Sequence, residues 1–355
     1  VTRPRDDFLS AHETPRILRL GPNLHAACFA LMKLLPARFM LDRAEEDGRL
    51  APGGHIVETS SGTFGLALAL LAAVRGYGLT LVTASSLVDA AFVRRLEQLG
   101  ARLLVVEDRA GSGAQAERLA RLRALLAEQP EAFWPRQYDN PDNALSYARL
   151  AELALGALGR IDCLVGGVGS GGSLCGTARV LRCLFPALRV VAVDTHRSCL
   201  FGHRPGPRLL RGLGNSILPA NLEHGLVDEL HWVGALPAFA ATRRLYRSQG
   251  LYRGPSSGAA WLVADWWARH NPGASVLVIL PDEGHRYRDS LYDDAWLAGL
   301  KGWPPAEPPE PVALGRVRPG GEGDWTFLEW GGRSLSAVPG AWRRHRRRPG
   351  ADQAG

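Results

Sequence analysis

Residues 162–180, Asp-Cys-Leu-Val-Gly-Gly-Val-Gly-Ser-Gly-Gly-Ser-Leu-Cys-Gly-Thr-Ala-Arg-Val, constrain this chain more than any other stretch. The short apolar run from Cys163 to Val165 predicts a buried strand, Gly166 to Ser173 a glycine-rich loop, and Leu174 to Leu184 a helix. Strand, glycine loop and helix is how α/β proteins cradle a phosphate. Glycines let the backbone approach the oxygens, and the free N–H groups and dipole of the helix start supply positive potential. The spacing Gly167-x-Gly169-x-x-Gly172 also fits a dinucleotide fingerprint. Asp194, 22 residues after Gly172 at the end of a second apolar run, stands where a ribose-binding acid belongs. A glycine-rich turn with no ligand is the third reading. The loop alone leaves all three open.

The rest of the chain repeats the alternation. Thr59-Ser-Ser-Gly-Thr-Phe-Gly65 follows a short strand, His55 to Glu58, and precedes a helix, Leu66 to Val74. Its hydroxyls and loop N–H groups suit a carboxylate, or serve simply as a helix cap. Strands at 79–83, 102–106, 189–194 and 275–280 and helices at 90–99, 114–128, 145–157, 236–249 and 259–270 complete a βαβ pattern, which predicts a mostly parallel sheet. Leu24 to Glu46 reads as one helix, from apolar spacing around Pro36. Beyond about residue 300 the pattern dissolves into proline and glycine, with one strand signal near Trp325 to Trp330, so residues 303–355 are expected to be loosely attached.

Composition matters at one point above all. Only two lysines occur, Lys33 and Lys301, among 42 basic residues. A solvated charge in this chain is almost always arginine, yet Lys33 sits in the apolar run Ala-Leu-Met-Lys33-Leu-Leu-Pro. Lysine differs from arginine in having an amine that can be neutral and nucleophilic once desolvated. Lys33 is therefore a candidate for chemistry. The five cysteines are irregularly spaced without a Cys-x-x-Cys, so no metal site is expected and core thiols in a cytoplasmic protein are. No apolar run approaches the roughly 20 residues that span a bilayer, and the first residues lack a secretory pattern. The net charge of +7 is concentrated near the end, where five arginines lie between Ala341 and Gly355. Such a tail is read as solvated, with nucleic-acid binding not expected.

Six motifs in order resemble one family, the cysteine synthase and cystathionine β-synthase group of fold-type II pyridoxal-phosphate (PLP) enzymes. Gly169-Ser-Gly-Gly-Ser173 is similar to the family's phosphate loop, and Val57-Glu-Thr-Ser-Ser-Gly-Thr-Phe-Gly65 to its substrate-carboxylate loop. Gln137-Tyr-Asp-Asn-Pro141, Gly212-Leu-Gly-Asn-Ser-Ile-Leu-Pro-Ala-Asn-Leu222, Gly254-Pro-Ser-Ser-Gly-Ala-Ala260 and Leu280-Pro-Asp-Glu-Gly-His-Arg-Tyr287 resemble the remaining four. Their order defeats the dinucleotide reading. Counting back from Asp47-Gly-Arg-Leu-Ala-Pro-Gly53 places the family's Schiff-base lysine on Lys33, the residue that scarcity also selects.

The resemblance implies an α/β fold, tryptophan synthase β-like, with parallel-rich sheets, helices on both faces and the cofactor in an interdomain cleft. It implies a smaller substrate-carboxylate domain at 40–145, a larger PLP-binding domain from 1–39 and 146–300, and a tail at 301–355. By the same resemblance Lys33 carries PLP as an imine and acts as base. Gly169, Ser170, Gly171, Gly172 and Ser173 bind its phosphate, Thr63 lies at its ring oxygen, and Ser256 faces its ring nitrogen. Ser60, Ser61, Gly62 and Gln137 bind the substrate carboxylate. The implied reaction is β-replacement on an activated serine, O-phosphoserine or O-acetylserine, through an aminoacrylate to cysteine or a related amino acid, by a homodimer. A β-eliminating lyase or dehydratase, and a non-catalytic protein of the same fold, are the alternatives. Arg211 stands where some family members that use O-phosphoserine place an arginine, which suits a departing phosphate. Around Lys33 the family's Asn-Pro-x-x-Ser-x-Lys-Asp-Arg is replaced by Ala-Cys-Phe-Ala-Leu-Met-Lys33-Leu-Leu-Pro, and its cofactor-touching asparagine by Thr63 followed by Phe64. These departures point to a specialised amino-acid synthase.

Overall fold

The computed structural model describes residues 8–60, 62–109, 111, 113–305, 310–338 and 341–342. In chain order the elements are α1 (Phe8–Glu13), β1 (Arg16–Arg19), β2 (Leu24–Cys28), α2 (Leu34–Glu46), β3 (His55–Thr59), α3 (Thr63–Arg75), β4 (Gly78–Ala84), α4 (Ala90–Gln98), β5 (Ala101–Val106) and α5 (Gln115–Glu128). Then follow α6 (Pro141–Leu145), α7 (Ala148–Leu158), β6 (Cys163–Gly167), α8 (Gly172–Leu184), β7 (Arg189–Asp194), β8 (Glu229–Val233), α9 (Ala235–Gln249), α10 (Pro255–His270), β9 (Val276–Leu280), α11 (Asp294–Ala298), β10 (Val312–Ala313) and β11 (Trp325–Glu329).

Two sheets result. The larger runs β1-β2-β9-β6-β7-β8-β11-β10, and its five central strands from β2 to β8 are mutually parallel. The smaller is β3-β4-β5, also parallel. Parallel strands are buried on both faces, so their residues alternate between two apolar layers. Val165, Val191, Val193 and Val278 face α9 and α10, while Leu164, Val190, Ala192, Leu277 and Ile279 face α7 and α8. The smaller sheet does the same, with Ile56, Leu79 and Leu81 against α2, α3 and α4, and Val57 and Val82 against α5.

Two expectations are corrected. The single helix over Leu24–Glu46 is a strand, β2, then a turn, then α2. The run Leu-His-Ala-Ala-Cys is apolar enough to serve either element. Parallel pairing with β9 in the middle of a doubly covered sheet decides for strand. The loosely attached tail is the second. As far as the described residues go, the C-terminal stretch packs on the body of the protein. β11 pairs antiparallel with β8 along its whole length, from Trp325↔Val233 to Glu329↔Glu229, and Val317, Trp325, Leu328 and Trp330 are buried. Apolar burial at roughly 25 cal/mol per Å² outweighs the proline content that suggested a free tail. The arginine cluster at 343–348 lies outside the described residues. Among the described residues no helix is long and apolar enough to cross a membrane.

Candidate active site

One pocket is lined from both sheets. It gathers Lys33, Ser60, Gly62, Thr63, Gln137, Gly169, Ser170, Ser173, Arg211 and Ser256, which are nearly all the residues singled out from sequence. Ser61 lies outside the described residues. Gly171 and Gly172 shape the loop beneath the pocket.

Lys33 is the residue immediately before α2, at the end of the turn that leaves β2. That turn is pinned to the end of β9. Phe29 N donates to Leu280 O at 3.0 Å, Met32 N donates to Pro281 O at 2.9 Å, and the buried Arg253 donates to Phe29 O at 2.6 Å. Lys33 Nζ reaches Ser170 Oγ at 3.5 Å, in the glycine loop. Burial, with no ion pair to Lys33 among the described residues, brings the lysine pKa down to about 8. Its amine thus has a substantial neutral fraction near physiological pH, which a nucleophile or base requires.

The loop from Gly169 to Ser173 joins β6 to α8 and has no acid in the first helical turn. Gly171 has φ +85°, and a Cβ there would lie 2.6 Å from Leu222 Cα and 2.7 Å from Asn221 O. Only glycine fits, in conformation and in space. The buried Ser170 hydroxyl also accepts from Asn143 Nδ2 at 3.3 Å, and Asn215 Nδ2 donates to Gly169 O at 3.2 Å. The loop is held on two sides, with helix-start N–H groups available to an anion.

On the smaller sheet, Ser60 Oγ accepts from Gly65 N at 2.9 Å and so organises the start of α3. Its own hydrogen is left to donate. Gln137 is buried, its Nε2 donating to Thr59 O at 3.4 Å and its N to Glu58 Oε2 at 3.3 Å. Burial pushes the Glu58 carboxyl up to about 7 despite donors at Thr59 N, Trp134 Nε1, Gln137 N and the Arg136 backbone. Glu58 therefore ties the end of β3 to the 134–137 segment. Ser256 is buried in the first turn of α10, after Gly254.

Sequence reasoning missed most of the pocket's cations. Besides Arg211, the pocket is lined by Arg118, Arg208 and Arg286. Arg286 lies over the Phe92 ring at 4.2 Å, reaching from the end of β9 to α4. Arg211 is exposed at the rim; desolvation and the like charge of Arg286 both lower its pKa. Arg118 is 5% exposed; its Nε donates to Gly113 O at 2.9 Å and its Nη2 to Gln115 Oε1. Burial lowers its pKa, partly offset by Tyr138, Glu58 and Asp108, and among the described residues it forms no ion pair. Nothing in the sequence separates Arg118 from Arg121 and Arg123 on the same helix, which are exposed. Asp194, the candidate ribose-binding acid, is 0% exposed and has a carboxyl pushed up to about 7 by burial. It cannot reach a ribose, which removes the structural basis of the dinucleotide reading.

The residues present fit PLP: an amine of lowered pKa, a phosphate-sized loop at a helix start admitting only glycine at position 171, and a buried hydroxyl at Ser256 share one cavity. Comparison with known proteins agrees. Residues 32–282 match the family described as pyridoxal-phosphate dependent enzyme. The N-(2-amino-2-carboxyethyl)-L-glutamate synthase of Ralstonia nicotianae is 37% identical over 307 residues, covering 83% of this chain and 90% of that protein. The protein of the same name from Cupriavidus metallidurans is 34% identical, covering 80% and 88%. Among solved structures, O-ureido-L-serine synthase superposes with a TM-score of 0.74 at 30% identity, covering 83% of this chain and all of that one. Fold, pocket and similarity agree: the chain belongs to the family of pyridoxal-phosphate-dependent enzymes and is of the cysteine synthase-like type.

Proposed function

We propose that this enzyme joins the amine of L-glutamate to the β-carbon of O-phospho-L-serine, releasing phosphate and forming N-(2-amino-2-carboxyethyl)-L-glutamate. The observation that carries the reading is the set of four arginines around one lysine, with Arg118 buried and, among the described residues, in no ion pair, although the charges of Glu58 and Asp108 offset part of its desolvation. A buried cation not paired directly with an anion is costly. An anionic ligand reaching the pocket would relieve that cost. Sulfide, the small nucleophile of cysteine formation, needs no such cation, whereas glutamate brings two carboxylates and O-phosphoserine a dianion. The name shared by the two bacterial relatives supports the same product.

PLP, when bound, accepts the electron pair left at the donor's α-carbon and so permits loss of the β-substituent. The residues then divide the remaining work. Lys33 Nζ removes the α-proton and later returns it. Ser60, Ser61, Gly62 and Gln137 hold the donor carboxylate, and Gly169 to Ser173 hold the cofactor phosphate. Thr63 would meet the ring oxygen. Ser256, a neutral hydroxyl, would face the ring nitrogen, disfavour its protonation and so favour β-substitution. Arg211 binds the departing phosphate, with charge-assisted bonds that strengthen as the C–O bond breaks. Arg118 binds a carboxylate of the acceptor, whose amine forms the C–N bond and gives up a proton.

The two separately cored sheets support a smaller domain and a larger one with the cofactor in the cleft between them, but not a boundary at 39/40, because Leu9, Leu31, Leu34 and Ala37 pack in the smaller sheet's core. The reading includes a cytoplasmic homodimer, and sedimentation velocity on the holoenzyme tests the assembly. The donor is tested by kinetics. Arg211→Gln should lower kcat/KM for O-phosphoserine by roughly 2–4 kcal/mol while leaving O-acetylserine nearly untouched. Equal loss with both donors, or a wild-type preference for O-acetylserine, overturns the assignment.

A further inference from the structure

The family match ends at residue 282, yet the chain continues into β11 and across the back of the pocket wall. Four hydrogen bonds, besides the packing of Trp330 on Phe201, bind this later segment to residues 196–209. His203 Nε2 donates to Arg318 O at 2.7 Å, and His196 Nε2 to Asp324 O at 3.3 Å. Trp342 N donates to Gly202 O at 2.6 Å, and Leu209 N donates to Glu322 Oε1 at 3.4 Å. Gly202, at φ +91°, admits the segment closely, since a Cβ there would lie 2.6 Å from Ala341 Cβ.

What these contacts hold is functional. Residues 196–209 lead directly into the wall formed by Leu210 to Ser216, which carries Arg211. The wall is tied back onto the same stretch: Asn215 N donates to Ser198 Oγ at 3.0 Å and Cys199 N to Asn215 O at 2.9 Å. Asn215 also holds Gly169 O of the phosphate loop. Glu322 touches the approach to this wall directly. One carboxylate oxygen takes Leu209 N, two residues before Arg211, and the other takes Ala235 N at 3.3 Å, at the start of α9. Its backbone O accepts from Leu236 N at 2.9 Å, so Glu322 is itself fixed.

We propose that residues 318–338, with Ala341 and Trp342, are a strap that sets the position of the arginine-bearing pocket wall, and that Glu322 is its positioning residue. The strap specifies how tightly the enzyme grips the anionic leaving group of its donor. This rests on the reading that Arg211 faces that group. A side chain that only stabilised the fold would not single out donor affinity.

The test uses the full-length holoenzyme and the change in cofactor absorbance on adding O-phosphoserine without acceptor. Glu322→Gln keeps the size of the side chain but turns an acceptor oxygen into a donor group opposed to a backbone N–H. It should bind cofactor as wild type does, weaken O-phosphoserine about tenfold, and raise KM for the donor more than it lowers kcat, as expected from one displaced charge-assisted contact. Glu329→Gln is the control. Glu329 sits on the same segment but pairs with Arg189 at 2.5 Å, on the far end of β7. It should leave donor affinity unchanged even if the protein melts earlier. If wild type gives no response to O-phosphoserine, the donor assignment fails. If wild type responds and Glu322→Gln binds the donor equally well, or if both variants weaken it alike, the strap has no positioning role.

Discussion

Replacing Lys33 by methionine should make the cofactor-free protein more stable while abolishing turnover. Methionine follows the same unbranched path and carries no charge. Burial lowers the lysine pKa from 10.5 to about 8, a gap of about 2.5 pH units. At about 1.4 kcal/mol per unit, holding the amine charged in the fold costs about 3 kcal/mol below pH 8. Contact with pocket water trims this, so the expected gain is about 2–3 kcal/mol at pH 7. The sign is fixed by linkage. Between pH 8 and 10.5 the unfolded chain binds the proton that the folded chain does not, so wild-type stability climbs with pH across that window. The advantage of Lys33→Met should therefore be largest at or below pH 8 and shrink toward pH 10.5. Urea unfolding of cofactor-free protein at pH 7 and pH 10 measures it, with borohydride reduction of the holoenzyme showing whether the covalent link is lost. A variant less stable than wild type at pH 7, or a difference that does not change with pH, would refute the argument that Lys33 is held against its own solvation.

Arg118→Met should lower kcat/KM for glutamate by about 2 kcal/mol, roughly 30-fold, without altering the spectral response to the donor; steady-state kinetics with the acceptor varied reads this, and an unchanged KM would move the acceptor site elsewhere. Trp330→Ala should cost roughly 3–5 kcal/mol in chemical denaturation, because a fully buried indole packed on Phe201 is removed; a loss within error of zero would mean the C-terminal segment is as loosely held as its composition suggested. Acid should loosen the same segment. Burial lowers His203 to about 4, so between pH 6.5 and 4 the unfolded chain takes up the proton first and stability falls as pH falls, by up to about 3 kcal/mol. His203→Gln keeps a donor toward Arg318 O and should flatten that fall. The comparison of variant with wild type is needed because Glu58 and Asp194, pushed up to about 7, tilt the whole-protein profile the opposite way.

The elements of the candidate site are legible in the sequence where geometry restricts residue type. The 163–184 strand, loop and helix are readable because the close approach at Gly171 leaves neither the conformation nor the space for any other residue. Lys33 was readable because a chain that uses arginine everywhere else keeps a lysine there. What stayed hidden depends on tertiary placement. β8 was overlooked because Glu229 and His231 interrupt its apolar pattern, although both are buried and joined by a 2.7 Å contact, with Arg189 completing the cluster. β2 was read as helix because a strand covered on both faces shows no alternation. Arg118 carries no mark among its neighbours; only the fold reveals that it alone of the three helix arginines turns inward. The C-terminal strap was read from its prolines, while its hold on the protein comes from Trp325, Leu328 and Trp330.

The central claim is that one pocket joins two amino acids through a new C–N bond. Mass spectrometry of the holoenzyme incubated with O-phosphoserine and glutamate labelled with heavy nitrogen tests it directly. The account predicts a product with the mass of N-(2-amino-2-carboxyethyl)-L-glutamate that retains the label, and one phosphate released for each molecule formed. Phosphate release with pyruvate and unmodified labelled glutamate, or product formation only when sulfide replaces glutamate, would contradict it.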